Sequence, residues 1–165
     1  LKVTIQSRSR LSGFELQKRF EEKGIYTELA DSYNVLLILP LLKENQDYPL
    51  VEASRKIKEL LEEIPYDPPE EEFQISSGKI SELAVPYERL LNIESELIPL
   101  TEAAGQVCAE TITPYPPGIP LLLMGELITE EKVKQLTQLR NKGARFQGGP
   151  FLDSNQIYIV KQFIK

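Results

Sequence analysis

Residues 113–126 read Thr113-Pro-Tyr-Pro-Pro-Gly-Ile-Pro-Leu-Leu-Leu-Met-Gly-Glu126. Each proline fixes φ and removes a backbone donor. The residue before each one is pushed towards extended geometry. Thr113, Tyr115, Pro116 and Ile119 are therefore restricted, and Gly118 is the residue left free to turn the chain. The stretch predicts a stiff loop, including Pro117, that hands the chain to Leu121–Met124. That apolar run is short enough to be a buried strand. Gly125-Glu126 then turns out of it. Tyr115 is the one large amphipathic side chain in the loop.

On the N-terminal side, Gln106–Thr113 reads as a strand. Before it, Thr101–Gly105 is a single capped turn of helix, Glu96–Leu100 a strand and Pro86–Leu91 a short helix. On the C-terminal side, Thr129 caps an amphipathic helix over Glu130–Lys142 with Val133, Leu136 and Leu139 inward and Gly143 as its stop. Ala144–Gln147 and Gln156–Val160 read as closing strands, with a turn-rich loop over Gly148–Asn155. The N-terminal half has its own pattern. Lys2–Gln6 alternates as a half-buried strand. Ser12-Gly-Phe-Glu15 is a capping box opening a helix over Gly13–Lys23, with Phe14, Leu16 and Phe20 inward and Gly24 as its stop. Ile25–Leu29 reads as a strand, Asp31–Asn34 as a turn and Val35–Leu42 as a buried central strand. Asn45-Gln-Asp47 then supplies caps for a helix whose apolar stripe runs from Leu50 to Ile64.

The fold class is α+β. Two small α/β sandwich-type domains cover residues 1–65 and 80–165, joined by an acidic, proline-rich linker over 66–79. Within it, Glu70–Glu72 reads as a solvated acidic run rather than a set of metal ligands.

The 165 residues carry a net charge of −6, with 41% hydrophobic and 27% charged residues. Phosphate neutralisation needs clustered Lys and Arg, so nucleic acid is excluded as a partner. No apolar run is long enough to span a membrane. The N-terminus shows no leader pattern. It also begins without Met inside a strand pattern, which predicts a piece of a longer protein. Cys108 is the single cysteine, so a disulfide framework is ruled out and a cytoplasmic setting is the default. There is no histidine. That removes imidazole bases, Ser-His and Cys-His nucleophile pairs and His-based metal sites. Cys108 reads as a small buried hydrophobe. Glu110 and Glu126 flank the proline loop. Paired carboxylates of this kind either recognise a cationic amine, take part in acid/base chemistry or are simply exposed or cap neighbouring turns.

Three pieces of the second half resemble the C-terminal domain of the ornithine/lysine/arginine decarboxylases. They are Ala103-Ala-Gly-Gln-Val-Cys-Ala-Glu110, Pro114-Tyr-Pro-Pro-Gly-Ile-Pro120 and Gly125-Glu-Leu-Ile-Thr-Glu130. In the first half, Ser12-Gly-Phe-Glu-Leu16, Gly24-Ile-Tyr-Thr-Glu-Leu-Ala-Asp31 and Asn34-Val-Leu-Leu-Ile-Leu39 are similar to the small domain of the same enzymes, which have the aspartate-aminotransferase fold. A string like Ala103–Glu110 also occurs in molybdopterin-insertion proteins, but its continuation there differs from Pro-Tyr-Pro-Pro-Gly.

The resemblance implies the C-terminal portion of a pyridoxal-phosphate enzyme that decarboxylates a basic amino acid in polyamine metabolism, and a parent that is a homo-oligomer. It implies a proline loop that shapes the substrate entrance, through Tyr115, Pro117 and Gly118, with Glu110 or Glu126 favouring the substrate's distal cation. The family's cofactor lysine follows a histidine in a Ser-x-His-Lys pattern within a large N-terminal domain. This chain lacks that pattern and is expected to be inactive alone. It then partners the rest of the decarboxylase chain or a catalytic subunit. The alternative is a non-catalytic interaction or regulatory module.

Overall fold

The computed structural model describes residues 1–68, 83–116 and 118–161. The chain divides into two compact units, Leu1–Phe73 and Gln74–Lys165. Most of the predicted linker, including Glu70–Glu72, and Pro117 of the loop lie outside the described residues.

Unit 1 runs β1 (Lys2–Gln6), α1 (Gly13–Glu22), β2 (Leu29–Ala30), β3 (Asn34–Ile38) and α2 (Leu50–Glu62). The strands form one antiparallel sheet in the order β1-β3-β2. Val3 faces Leu37 and Ile5 faces Val35 across the β1–β3 pair. Side chains alternate along a strand, so Val35 and Leu37 turn into the core while Leu36 stands on the other face. Helix α1 packs on β2 and β3 and buries Phe14, Leu16 and Phe20.

Both ends of α1 follow from local chemistry. The capping box is complete: Glu15 N donates to Ser12 Oγ at 3.1 Å and Ser12 N to Glu15 Oε2 at 2.7 Å. At the other end Gly24 N donates to Glu21 O and Ile25 N to Phe20 O, both at 2.9 Å. That double closure is the Schellman motif, and Gly24, at φ +77°, supplies its left-handed residue.

The strand expectations needed correction. Ile25 is buried as part of the α1 closure, so β2 begins at Leu29 rather than Ile25. β3 stops at Ile38, short of Leu42: Pro40 has no donor for a ladder, and Leu41 and Leu42 are exposed. Helix α2 starts as expected at Leu50, but its N-cap is Pro49 with no side-chain acceptor, so Asn45 and Asp47 do not cap it. Tyr66–Pro68 follows α2 closely, with Asp67 N donating to Arg8 O at 2.9 Å and Asp67 paired with Arg10.

Unit 2 runs α3 (Tyr87–Leu90), β4 (Ser95–Pro99), a 3-10 turn over Leu100–Glu102, β5 (Thr113–Tyr115), α4 (Glu130–Asn141), β6 (Arg145–Gln147), a second 3-10 turn over Leu152–Ser154 and β7 (Gln156–Val160). Among the described residues its regular sheet is limited to two antiparallel pairs, β4–β7 and β5–β6. Single bridges do the rest, joining Leu83 to Glu126, Val107 to Leu127, Cys108 to Ile159 and Ile112 to Leu122. The core gathers Leu100, Ala103, Cys108, Ile112, Leu122, Ile128, Leu136, Leu152, Ile157 and Ile159. Helix α4 repeats the pattern of α1: Thr129 caps it, and Gly143 N and Ala144 N close it on Arg140 O and Leu139 O.

Two more expectations change. Gln106–Thr113 is a run of isolated bridges, and the strand proper begins at Thr113, inside the proline-rich stretch. A two-stranded ribbon consists of edges, where proline is tolerated. Leu121–Met124 is not a strand either: Leu122 is buried and bridged to Ile112, whereas Leu123 is exposed.

Gly13 is held by space rather than by φ. A Cβ there would lie 2.4 Å from both Asn34 O and Asp31 O. Gly24 has open space around it. Gly13→Ala is therefore expected to lower the stability of unit 1 by about 3 kcal/mol or more, and Gly24→Ala by about 1–2 kcal/mol from left-handed strain. Urea unfolding of the two variants checks this, and equal losses would contradict it.

Candidate functional site

The candidate site is the proline loop and its supports, all within unit 2. The loop is pinched at its base. Ile112 N donates to Leu122 O at 2.9 Å, and Leu121 N and Leu122 N both donate to Ile112 O at 2.9 and 3.3 Å. Thr113 and Pro114 are buried, and β5 is held to β6 with Tyr115 opposite Arg145. Beyond Tyr115 the chain turns sharply, through a cis Tyr115–Pro116 bond and a left-handed Gly118 at φ +84°. Gly118 N donates back to Pro114 O at 3.0 Å. The ring of Tyr115 lies along Gly118, where a Cβ would come within 3.5 Å of Cδ2. What emerges is an outward knuckle: Tyr115 is 50% exposed and Ile119 68%.

Glu110 and Glu126 both bind main-chain amides. Glu110 accepts from Gly149 N at 2.9 Å through one oxygen and from Tyr158 N at 3.1 Å through the other. It joins three segments that are far apart in sequence, and it remains partly exposed. Glu126 is buried. Its Oε2 accepts from Leu123 N at 3.0 Å, and its Oε1 is paired with the Lys132 ammonium. Of the predicted site residues, Tyr115 and Gly118 are thus brought side by side at the exposed tip. Glu126 supports the return limb of the loop from within.

Cys108, two residues before Glu110, is fully buried. Its Sγ donates to Glu110 O at 3.0 Å. Burial pushes the thiol up to about 12, so no thiolate is available near neutral pH. Among the described residues no group of three or more Cys, Asp or Glu side chains is placed to hold a metal ion.

Sequence reasoning overlooked Lys132 and Arg145, and it read the Gly148-Gly149 pair only as a turn. A Cβ on Gly148 would fall 1.9 Å from Thr111 O, so this pair lets two backbones touch. A signal for Lys132 was present: it occupies the third helical position, where a capping box would carry Glu or Gln. Arg145 and Gly148 gave none, because they depend on which segment faces β5.

The raised Cys108 thiol fixes a pH dependence. In the unfolded chain the thiol ionises near its ordinary 9.0, and in the folded chain only near 12. Its stabilising contribution is complete below pH 9 and is lost as pH rises towards 12. Cys108→Ala is expected to flatten the stability curve above pH 9, and native protein is expected to resist thiol reagents at pH 8. Rapid labelling of the native protein, or an unchanged alkaline slope in the variant, would contradict this.

Comparison with known proteins places this geometry. A family model described as the Orn/Lys/Arg decarboxylase C-terminal domain matches residues 71–149. The protein YaaO of Bacillus subtilis is 36% identical over 162 residues, which are 96% of this chain and 33% of that protein. An arginine decarboxylase of Bacillus subtilis is 32% identical over 154 residues, 92% of this chain and 31% of the enzyme. The crystal structure of the Francisella novicida lysine decarboxylase superposes with a TM-score of 0.64 at 20% identity, covering 97% of this chain and 31% of that one. The chain therefore spans about a third of the length of the relatives it matches. The knuckle Thr113–Pro120, its clamp at Ile112 and Leu122 and the supporting Glu110 all lie inside the matched segment, and this chain belongs to the Orn/Lys/Arg decarboxylase family.

Proposed function

We propose that this chain is the C-terminal portion of a pyridoxal-phosphate-dependent decarboxylase acting on a basic amino acid, with its proline loop at the substrate entrance. The observation that carries the reading is the arginine-decarboxylase match over 92% of the chain. In this reading residues 1–65 are the small domain of an aspartate-aminotransferase-type fold, 66–79 a connector and 80–165 the family's C-terminal domain. The parent is a cytoplasmic homo-oligomer in polyamine metabolism, and the rest of the decarboxylase chain, or a separate catalytic subunit, completes the site.

The residues described here do not fit the cofactor itself. Its attachment lysine must be able to lose its proton, which needs a desolvated setting. No lysine among the described residues is buried, and Lys132 is taken up in its pairing with Glu126. No histidine is present in the chain. The chemistry is accordingly assigned to the remainder of the enzyme, and this chain shapes access to it.

Within the loop, Tyr115 supplies a rigid amphipathic face suited to the methylene stem of a basic amino acid. Gly118 leaves one side of the ring uncrowded. Of the two carboxylates, the partly exposed Glu110 is better placed than the buried Glu126 to favour a distal cation. In the intact decarboxylase, Tyr115→Ala is expected to raise KM for the basic amino acid on the order of tenfold, the effect of roughly 1.4 kcal/mol of lost binding, with kcat little changed. Steady-state kinetics decide it: wild-type KM and kcat in the variant would remove the loop from the substrate path.

A further inference from the structure

Lys132 breaks a local rule. It sits at the third position of α4, after the N-cap Thr129 and the acidic Glu130 and Glu131. The positive end of the helix dipole disfavours a cation there. The same position in α1 holds Glu15, whose carboxylate returns to the Ser12 amide and completes the box. In α4 Thr129 Oγ1 accepts from Lys132 N at 3.2 Å, but Lys132 has no side-chain acceptor to offer in return. Departures of this kind from local consistency mark sites where another demand prevails.

The other demand is Glu126. Its side chain is 4% exposed, and the Lys132 side chain that meets it is 21% exposed. A buried carboxylate left without a partner is strongly unfavourable. Glu126 in turn fixes the chain on both sides of itself: Leu123 N donates to its carboxylate, its own amide donates to Leu123 O at 3.1 Å, and Cys108 N donates to its carbonyl at 2.9 Å. Leu121 and Leu122, just before, carry the return limb of the knuckle onto Ile112. A continuous series of contacts runs from the capped start of α4 to the base of the proline loop.

We infer that Lys132 is a positioning residue for the proline loop, acting through Glu126: it replaces the capping-box acid of α4 in order to neutralise the carboxylate that holds Leu121–Glu126, and so sets where Tyr115 and Ile119 stand. The contacts stand by themselves; their consequence for substrate rests on the proposed function.

The test has two arms. In the 165-residue chain, amide NMR spectra of Lys132→Met are expected to show shifts at Leu121–Glu126 and at Tyr115, Gly118 and Ile119, with the α1 signals unchanged. Lys132→Arg, which keeps the cation, is expected to restore the wild-type positions. Changes confined to residues 129–136, or an Arg variant as perturbed as the Met variant, would overturn the inference. Where Lys132→Met fails to fold, Glu126→Gln supplies the same reading: a neutral amide there frees Lys132 and is expected to move the same loop signals.

In the intact decarboxylase, Lys132→Met is expected to raise KM on the order of tenfold with kcat nearly unchanged, and to add little on top of Tyr115→Ala. Wild-type KM in Tyr115→Ala would remove the substrate reading while leaving the spectral arm to decide the positioning role. Raised KM in Tyr115→Ala, with wild-type KM and unmoved loop signals in Lys132→Met, would remove the positioning role alone.

Discussion

The buried carboxylate of Glu126 is the constraint on which unit 2 depends. Contacts from several segments converge on this residue, among them the Lys132 ammonium, the Leu123 amide, the Cys108 amide and the Leu123 carbonyl. A buried charge of this kind is tolerated only when paired and hydrogen-bonded, so the surrounding backbone has little freedom to rearrange. Gly125 beside it is equally constrained. It has φ +87°, and a Cβ would lie 2.9 Å from Val85 O and from Leu90 Cδ1. Side-chain capping and close backbone approach thus replace the long ladders that hold an ordinary sheet. Glu110 likewise ties Gly149 and Tyr158 to the segment before β5.

This explains why the loop stands out from the body as a fixed knuckle. Its two limbs are pinned within the core at Ile112 and Leu122, both fully buried. Its tip is shortened by the Gly118–Pro114 hydrogen bond. Proline lowers the freedom the chain would otherwise lose on ordering. An exposed aromatic on such a support is a pre-organised contact, and pre-organisation is what converts contact area into affinity. The geometry is therefore suited to meeting something outside this chain.

The helices were legible because their signals are local. Ser12 with Glu15, Gly24, Thr129 and Gly143 each lie within a turn of the boundary they set, and α1 and α4 begin where those residues predict. The strands were less legible. That a strand begins at Thr113 rather than at Gln106 depends on where Arg145–Gln147 lies, with Gln147 thirty-four residues beyond Thr113. Apolar content misled at Val35–Leu42 and Leu121–Met124, because Pro40 ends one ladder and the other segment meets, among the described residues, a single bridging residue. At the site, Tyr115 and Gly118 were readable from the turn chemistry. The pairing of Glu126 with Lys132 was not, because a carboxylate beside a loop reads equally well as solvent-exposed until its burial is known.

The measurement that bears most directly on the central claim is the intact mass of the protein purified from its native source. The matched relatives are about three times as long as this 18.8 kDa chain. A product of roughly three times that mass is expected, with the decarboxylase chemistry in the remainder of the enzyme. A native product of 18.8 kDa that purifies with no catalytic partner would contradict it and leave a non-catalytic module in its place.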